Sequence, residues 1–181
     1  MKKLFGLFLL WFIFFAPVPA QAACTAAACF WIGGAGTIDG TADNGHWSAT
    51  SCGASCACVP NNTTDSLTFD ANSGTGTIVV SMPSGTLSAT NITASNFNGT
   101  LDFATSDNAV TIISSFTNSS TVTRQLDMGD GTWTLSGVQA TWGIGTGTNL
   151  TLNANGSTIA FTGTASGQRR FQSGGKTYNV L

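Results

Sequence analysis

From residue 23 onward the chain is a body of Thr, Ser, Gly, Asn and Ala punctuated by short apolar triplets, and that texture leaves few folds open. Leu67-Thr68-Phe69, Leu101-Asp102-Phe103, Trp133-Thr134-Leu135, Leu150-Thr151-Leu152 and Ile159-Ala160-Phe161 are the clearest examples. Alternate side chains of an extended chain share a face, so each triplet reads as a short strand with one buried side. Good helix formers are scarce, and Glu is absent altogether. β-Branched and turn-forming residues take their place. No segment after the first 22 residues carries an apolar stripe at helical spacing.

The triplets recur with a period. Phe69, Ile92, Ile113, Leu135, Ile159 and Val180 are spaced by 21 to 24 residues, and Ile78, Leu101, Leu126, Leu150 and Phe171 form a second series between them. Two interleaved ladders of short strands, separated by Gly, Asn, Ser and Asp turns, predict an all-β solenoid. A single turn of such a fold cannot bury its inward residues and must stack on its neighbours. An antiparallel β-sandwich is the alternative, since it too places strands every 8 to 12 residues. Poverty of charge favours the solenoid: Thr, Asn and Ser at equivalent positions of stacked turns satisfy one another by hydrogen bonding.

Three marks identify residues 1–22 as a secretory signal peptide. Lys2 and Lys3 begin it, Leu4 to Ala16 is an unbroken apolar run, and Ala20-Gln21-Ala22 is a small-x-small cleavage site. The run is short for a membrane span and ends at Pro17 and Pro19. Cys24 would suit a lipoprotein, but Gln21 stands where a lipidation signal usually has Leu. The mature chain is thus expected to be exported, to the cell surface or beyond. It keeps Arg124, Arg169, Arg170 and Lys176 against eight Asp, a formal charge of −4. Nucleic acid needs a basic stripe to displace counterions, and a membrane surface needs a polybasic patch; neither is present.

Cys24, Cys29, Cys52, Cys56 and Cys58 all fall early in the mature chain. Export makes them disulfide candidates, and the odd count leaves one thiol over or paired with another chain. The spacing Cys52-x3-Cys56-x-Cys58 lacks the paired CxxC of common structural zinc sites, so no metal is expected. Residues 23–64 therefore form a Cys-, Trp- and Gly-rich opening and cap segment, joined at Val59-Pro60-Asn61-Asn62 to the solenoid turns of 65–181.

Phe30-Trp31-Ile32-Gly33-Gly34-Ala35-Gly36, His46-Trp47-Ser48, Asp65-Ser66-Leu67-Thr68-Phe69-Asp70 and Gly131-Thr132-Trp133-Thr134-Leu135-Ser136-Gly137 together carry a resemblance. They resemble the β-strand-repeat surface proteins of bacteria and phages, the autotransporter-passenger and adhesin-like group. That resemblance covers nearly all the mature chain and implies a right-handed parallel β-helix on a cell or virion surface. It implies no catalytic residue. The cysteines around Cys52 to Cys58 depart from it, because that loop is expected to be Gly-rich and cysteine-free. Gly174-Gly175-Lys176-Thr177-Tyr178-Asn179-Val180-Leu181 reads as the opening of a further strand, which predicts a longer product. An open strand there would also favour self-association.

Trp31, His46 and Trp47 are the residues most like a binding site, since indole faces stack on sugars; their bland reading is a lid over the open end of the core. Asp102, Asp107, Asp127 and Asp130 are the candidate acids. A pair of them would suit glycoside hydrolysis, and Asp127-Met128-Gly129-Asp130-Gly131 would suit calcium, but neither spacing matches a known array. Asp beside Gly in a turn is ordinary. With one His and no nucleophile elbow, a serine hydrolase has no base. The residues therefore predict a non-enzymatic surface scaffold without a cofactor. Its partners would be surface glycans or another envelope or virion protein. A polysaccharide-active enzyme and a purely structural component of an envelope or virion assembly are the alternatives.

Overall fold

The computed structural model describes residues 28–41, 45–55 and 60–178. The expected leader, Cys24, Cys56, Cys58 and Val180 lie outside the described residues. An opening coil holds β1 (Cys29–Trp31), β2 (Gly36–Ile38), β3 (Trp47–Ser48) and β4 (Ser66–Phe69). Four further coils follow. The first has β5 (Thr77–Val80) and β6 (Thr86–Ser95), and the second β7 (Thr100–Asp102) and β8 (Ala109–Ser119). The third has β9 (Arg124–Asp127), β10 (Thr132–Leu135) and β11 (Thr141–Ile144). The last has β12 (Leu150–Asn153), β13 (Thr158–Phe161) and β14 (Arg170–Gln172).

Coil lies on coil in parallel register, which makes the protein a β-solenoid. One sheet runs β12-β9-β7-β5-β2. Aligned positions Thr77, Thr100, Gln125 and Thr151 set coils of 23, 25 and 26 residues. The other sheet is split, because the long strand β8 pairs β10 through Val110–Ile112 and β11 through Ser115–Asn118. Each coil therefore has three strand segments rather than the two that the sequence predicts. Among the named strands only β3 on β1 is antiparallel, so the sandwich alternative does not hold.

Three inward columns fill the core. Cys29, Leu67, Ile92, Phe116, Trp142 and Phe171 align in one, Ile78, Leu101, Leu126 and Leu152 in a second, and Leu87, Val110, Trp133 and Ile159 in a third. Leu150 and Phe171 do not continue the Ile78 series, as the spacing suggested. Leu150 pairs with Arg124, and Phe171 with Trp142. Aromatic rings interlock the second and third coils. Phe116 stacks on Trp142 at 4.4 Å, and Trp133 stands edge-on to both, at 5.3 and 5.4 Å. Burying each such side chain contributes about 1.5–3 kcal/mol, and the contacts lie between coils, so the stack rather than the coil is the stable unit.

Outside, the same register makes polar columns. Thr68, Thr93 and Thr117 align, and Ser66, Asn91, Ser115 and Thr141 run beside them. Asn91 Nδ2 donates to Ser66 Oγ at 3.1 Å and Ser115 Oγ donates to Asn91 Oδ1 at 2.8 Å. Strand spacing of about 4.8 Å brings like side chains into hydrogen-bonding reach, as the composition led one to expect.

Candidate functional site

The aromatic residues singled out by sequence come together at the β1 end of the stack. β3 turns back antiparallel on β1, and this sets Trp31 opposite Trp47. Trp31 stacks on His46 at 4.6 Å and meets Trp47 edge-on at 5.0 Å, with Phe69 beneath both. The Trp31 indole N–H donates to the Gly34 carbonyl at 2.7 Å. Gly36 has no side chain because a Cβ there would meet His46 and the Trp31 ring at 2.9 Å. Trp31 and Trp47 are buried, so their ring faces are spent on one another and on the core. This arrangement makes the two indoles part of the hydrophobic core at that end.

The acids follow the turns. Asp102 and Asp127 stand side by side on neighbouring strands. Asp102 accepts from the Ala104 and Thr105 amides at 2.8 and 3.0 Å and from the Thr105 hydroxyl at 2.6 Å. Asp127 accepts from Gln125 at 2.7 Å and from the Asn153 side chain of the next coil. Asp107 and Asp130 form a staircase: the Asp130 amide donates to Asp107 Oδ1, and the Gly156 amide donates to Asp130 Oδ1, both at 2.8 Å. Each carboxylate is thus held by the turn it belongs to or by the coil above. Among the described residues, no three His, Cys, Asp or Glu side chains converge as a metal site. Of the cysteines, Cys29 is buried in the first core column and Cys52 is an exposed free thiol.

Sequence reasoning missed Arg124. It occupies an inward position of β9 and is 3% exposed. Its Nε donates to Asn118 Oδ1 at 2.5 Å. Nη1 donates to the carbonyls of Ser120, Val122 and Thr148 at 2.8, 3.3 and 3.1 Å, and Nη2 to that of Thr146 at 2.6 Å. A buried guanidinium is tolerable only when its five N–H groups find acceptors, and here four backbone carbonyls and one side-chain amide surround it. Burial lowers its pKa from the ordinary value. The side chain staples the turn leaving β8 to the turn leaving β11. Strict alternation was the available signal: Arg124, Leu126 and Met128 share one face, so the buried Leu126 predicts a buried Arg124.

The stacked coils define the class of protein, a parallel β-solenoid. Comparison of the chain with protein-family models, with curated proteins and with solved structures finds no match.

Proposed function

We propose that the protein is an exported, non-enzymatic surface scaffold of adhesin-like character, which offers its flat polar faces to glycans or to a neighbouring envelope or virion protein. The observation that carries this reading is the outward register of the coils. Ser88, Thr111 and Thr134, and Thr68, Thr93 and Thr117 recur at strand spacing over a closely packed core, and Thr132 lies beside Thr158. Each hydroxyl contact is weak, and a rigid lattice of them gains through multivalency. The signal-peptide pattern of residues 1–22 supports export, and the resemblance to β-strand-repeat surface proteins supports display.

A polysaccharide-active enzyme is the second reading, and the adjacency of Asp102 and Asp127 is what favours it. One experiment separates them. The mature protein, immobilised at high density, is exposed to a panel of polysaccharides, and both retention and release of reducing ends are measured. Retention without new reducing ends is expected. Release of reducing ends that Asp102→Asn abolishes would make the protein a hydrolase or lyase instead.

A further inference from the structure

The corner between the second and third strand segments grows along the stack. It takes one residue (Thr90) in the first of the four coils, two (Ile113 and Ser114) in the second, five (136–140) in the third and eight (162–169) in the last. Glycines let the corners lie directly on one another: a Cβ on Gly137 would run into the Ile113 carbonyl oxygen, and one on Gly167 into the backbone of Val138. Beside this stepped ridge lies a groove of about 320 Å³ lined by Ile113, Ser114, Gly137, Val138 and Gln139. That is the lower end of the range for small-ligand sites. Val138, 47% exposed, is the one large apolar side chain that the described residues leave in water.

Charge is distributed as unevenly as shape. From Gly131 to the end of the sequence there is no acidic residue, while Arg169, Arg170 and Lys176 all lie there. Lys176 is bonded to the Leu150 carbonyl at 2.5 Å, which leaves the arginine pair as the exposed cations of the corner. Arg169 reaches back to the Ala165 carbonyl of its own corner at 3.5 Å. The Arg170 amide donates to Ala140, the residue after the groove-lining Gln139, at 3.0 Å, and Arg170 aligns with Thr141. An otherwise acidic chain thus places an apolar floor, a hydroxyl and a side-chain amide in the groove and two exposed arginines on the neighbouring coil, whose backbone is bonded to the groove's rim at Ala140.

We infer that this groove, together with the arginines of the coil next to its rim, binds a carboxylate-bearing polysaccharide. The C–H face of a sugar ring would rest on Ile113 and Val138, Ser114 and Gln139 would meet ring hydroxyls, and the arginines would engage the carboxylate, where a guanidinium offers paired donors. Two arginines are too few for the counterion release that nucleic acid requires. The inference rests on the glycan-binding reading above and narrows it to a site and a substrate class.

Oligogalacturonate and its carboxyl-reduced neutral counterpart are titrated into the mature protein, and amide chemical shifts are followed. Binding of the charged oligomer only, with shifts centred on Ser114, Val138 and Gln139, is expected. Arg170→Gln and Val138→Asp should each weaken it at least tenfold, with thermal melting as the control for folding. Arg169→Gln, a change on the exposed corner, provides an independent variant. Equal binding of both oligomers, or binding that none of these variants alters, would overturn the inference while leaving an adhesive polar face in place. If immobilised protein retains no glycan of either kind, the broader reading falls as well.

Discussion

Arg124 and Asn118 meet inside the passage from the second coil to the third, the guanidinium Nε donating to the amide oxygen at 2.5 Å where the following coils place Leu150 and Ile144. A cation and an amide in a hydrocarbon column are tolerated because every acceptor around them is used. Arg124→Met keeps the volume and leaves the carbonyls of Ser120, Thr146 and Thr148 without donors. A buried acceptor left unpaired costs about 1–3 kcal/mol, and the part-buried carbonyls of Thr146 and Thr148 can turn to water, so a loss of about 1–3 kcal/mol is expected from urea unfolding. Arg124→Lys should recover part of it, having three donors in place of five.

Phe116 lies between Trp133 and Trp142, and its removal would open a void where two coils meet. Phe116→Ala should destabilise the protein by about 3–5 kcal/mol. Tryptophan fluorescence during unfolding measures it, with Trp133 and Trp142 among the reporters.

Asp107 does two jobs that substitution can separate. Its φ of +48° lies in the left-handed region, and its carboxylate accepts from the Asp130 amide. Asparagine tolerates the backbone and retains an acceptor. Asp107→Asn should therefore leave the melting temperature almost unchanged, whereas Asp107→Ala should lose about 1–3 kcal/mol.

Burial raises the pKa of Asp65, against which hydrogen bonds from Asn62, Asn61 and Thr64 act. A carboxyl whose folded pKa lies above its unfolded value of 3.8 favours the folded state in acid, and that advantage fades as pH rises through the folded pKa. Asp65→Asn should accordingly gain stability relative to the native protein at neutral pH, with the difference shrinking as pH falls through the raised folded pKa and gone below 3.8. Melting temperatures across pH 3 to 7, roughly the range over which carboxyls titrate, read the sign.

Glycine positions offer a sharper contrast. Gly137→Ala would force the corner away from the Ile113 carbonyl and should unfold the last two coils, whereas Gly175, at φ +72°, has open space around it. Gly175→Ala should cost only the backbone strain of about 1–2 kcal/mol. Hydrogen exchange resolved by coil distinguishes the two.

The period was legible in the sequence because core triplets repeat; the columns were not. Ile92 to Ile113 has the right interval, yet Ile113 sits on a corner and the true partner of Ile92 is Phe116. Corners of one, two, five and eight residues shift each segment relative to the one before it, so residues on different faces fall at nearly the same separation as residues in one column. Trp31, His46 and Trp47 were found together because aromatic residues in a Thr-rich chain stand out. The groove at Val138 and the basic corner were invisible, since they arise from how far a loop protrudes, which spacing alone does not encode.

A rigid surface that binds through repetition is tested directly by comparing one copy with many. Retention of acidic polysaccharide is measured for the soluble mature protein and for the same protein arrayed densely on beads. Weak binding by single copies is expected, with retention by the array about a hundredfold stronger or more, the order of avidity gain for linked weak sites. Arrayed protein that retains no polysaccharide, or that cleaves what it holds, would contradict the adhesive-scaffold reading.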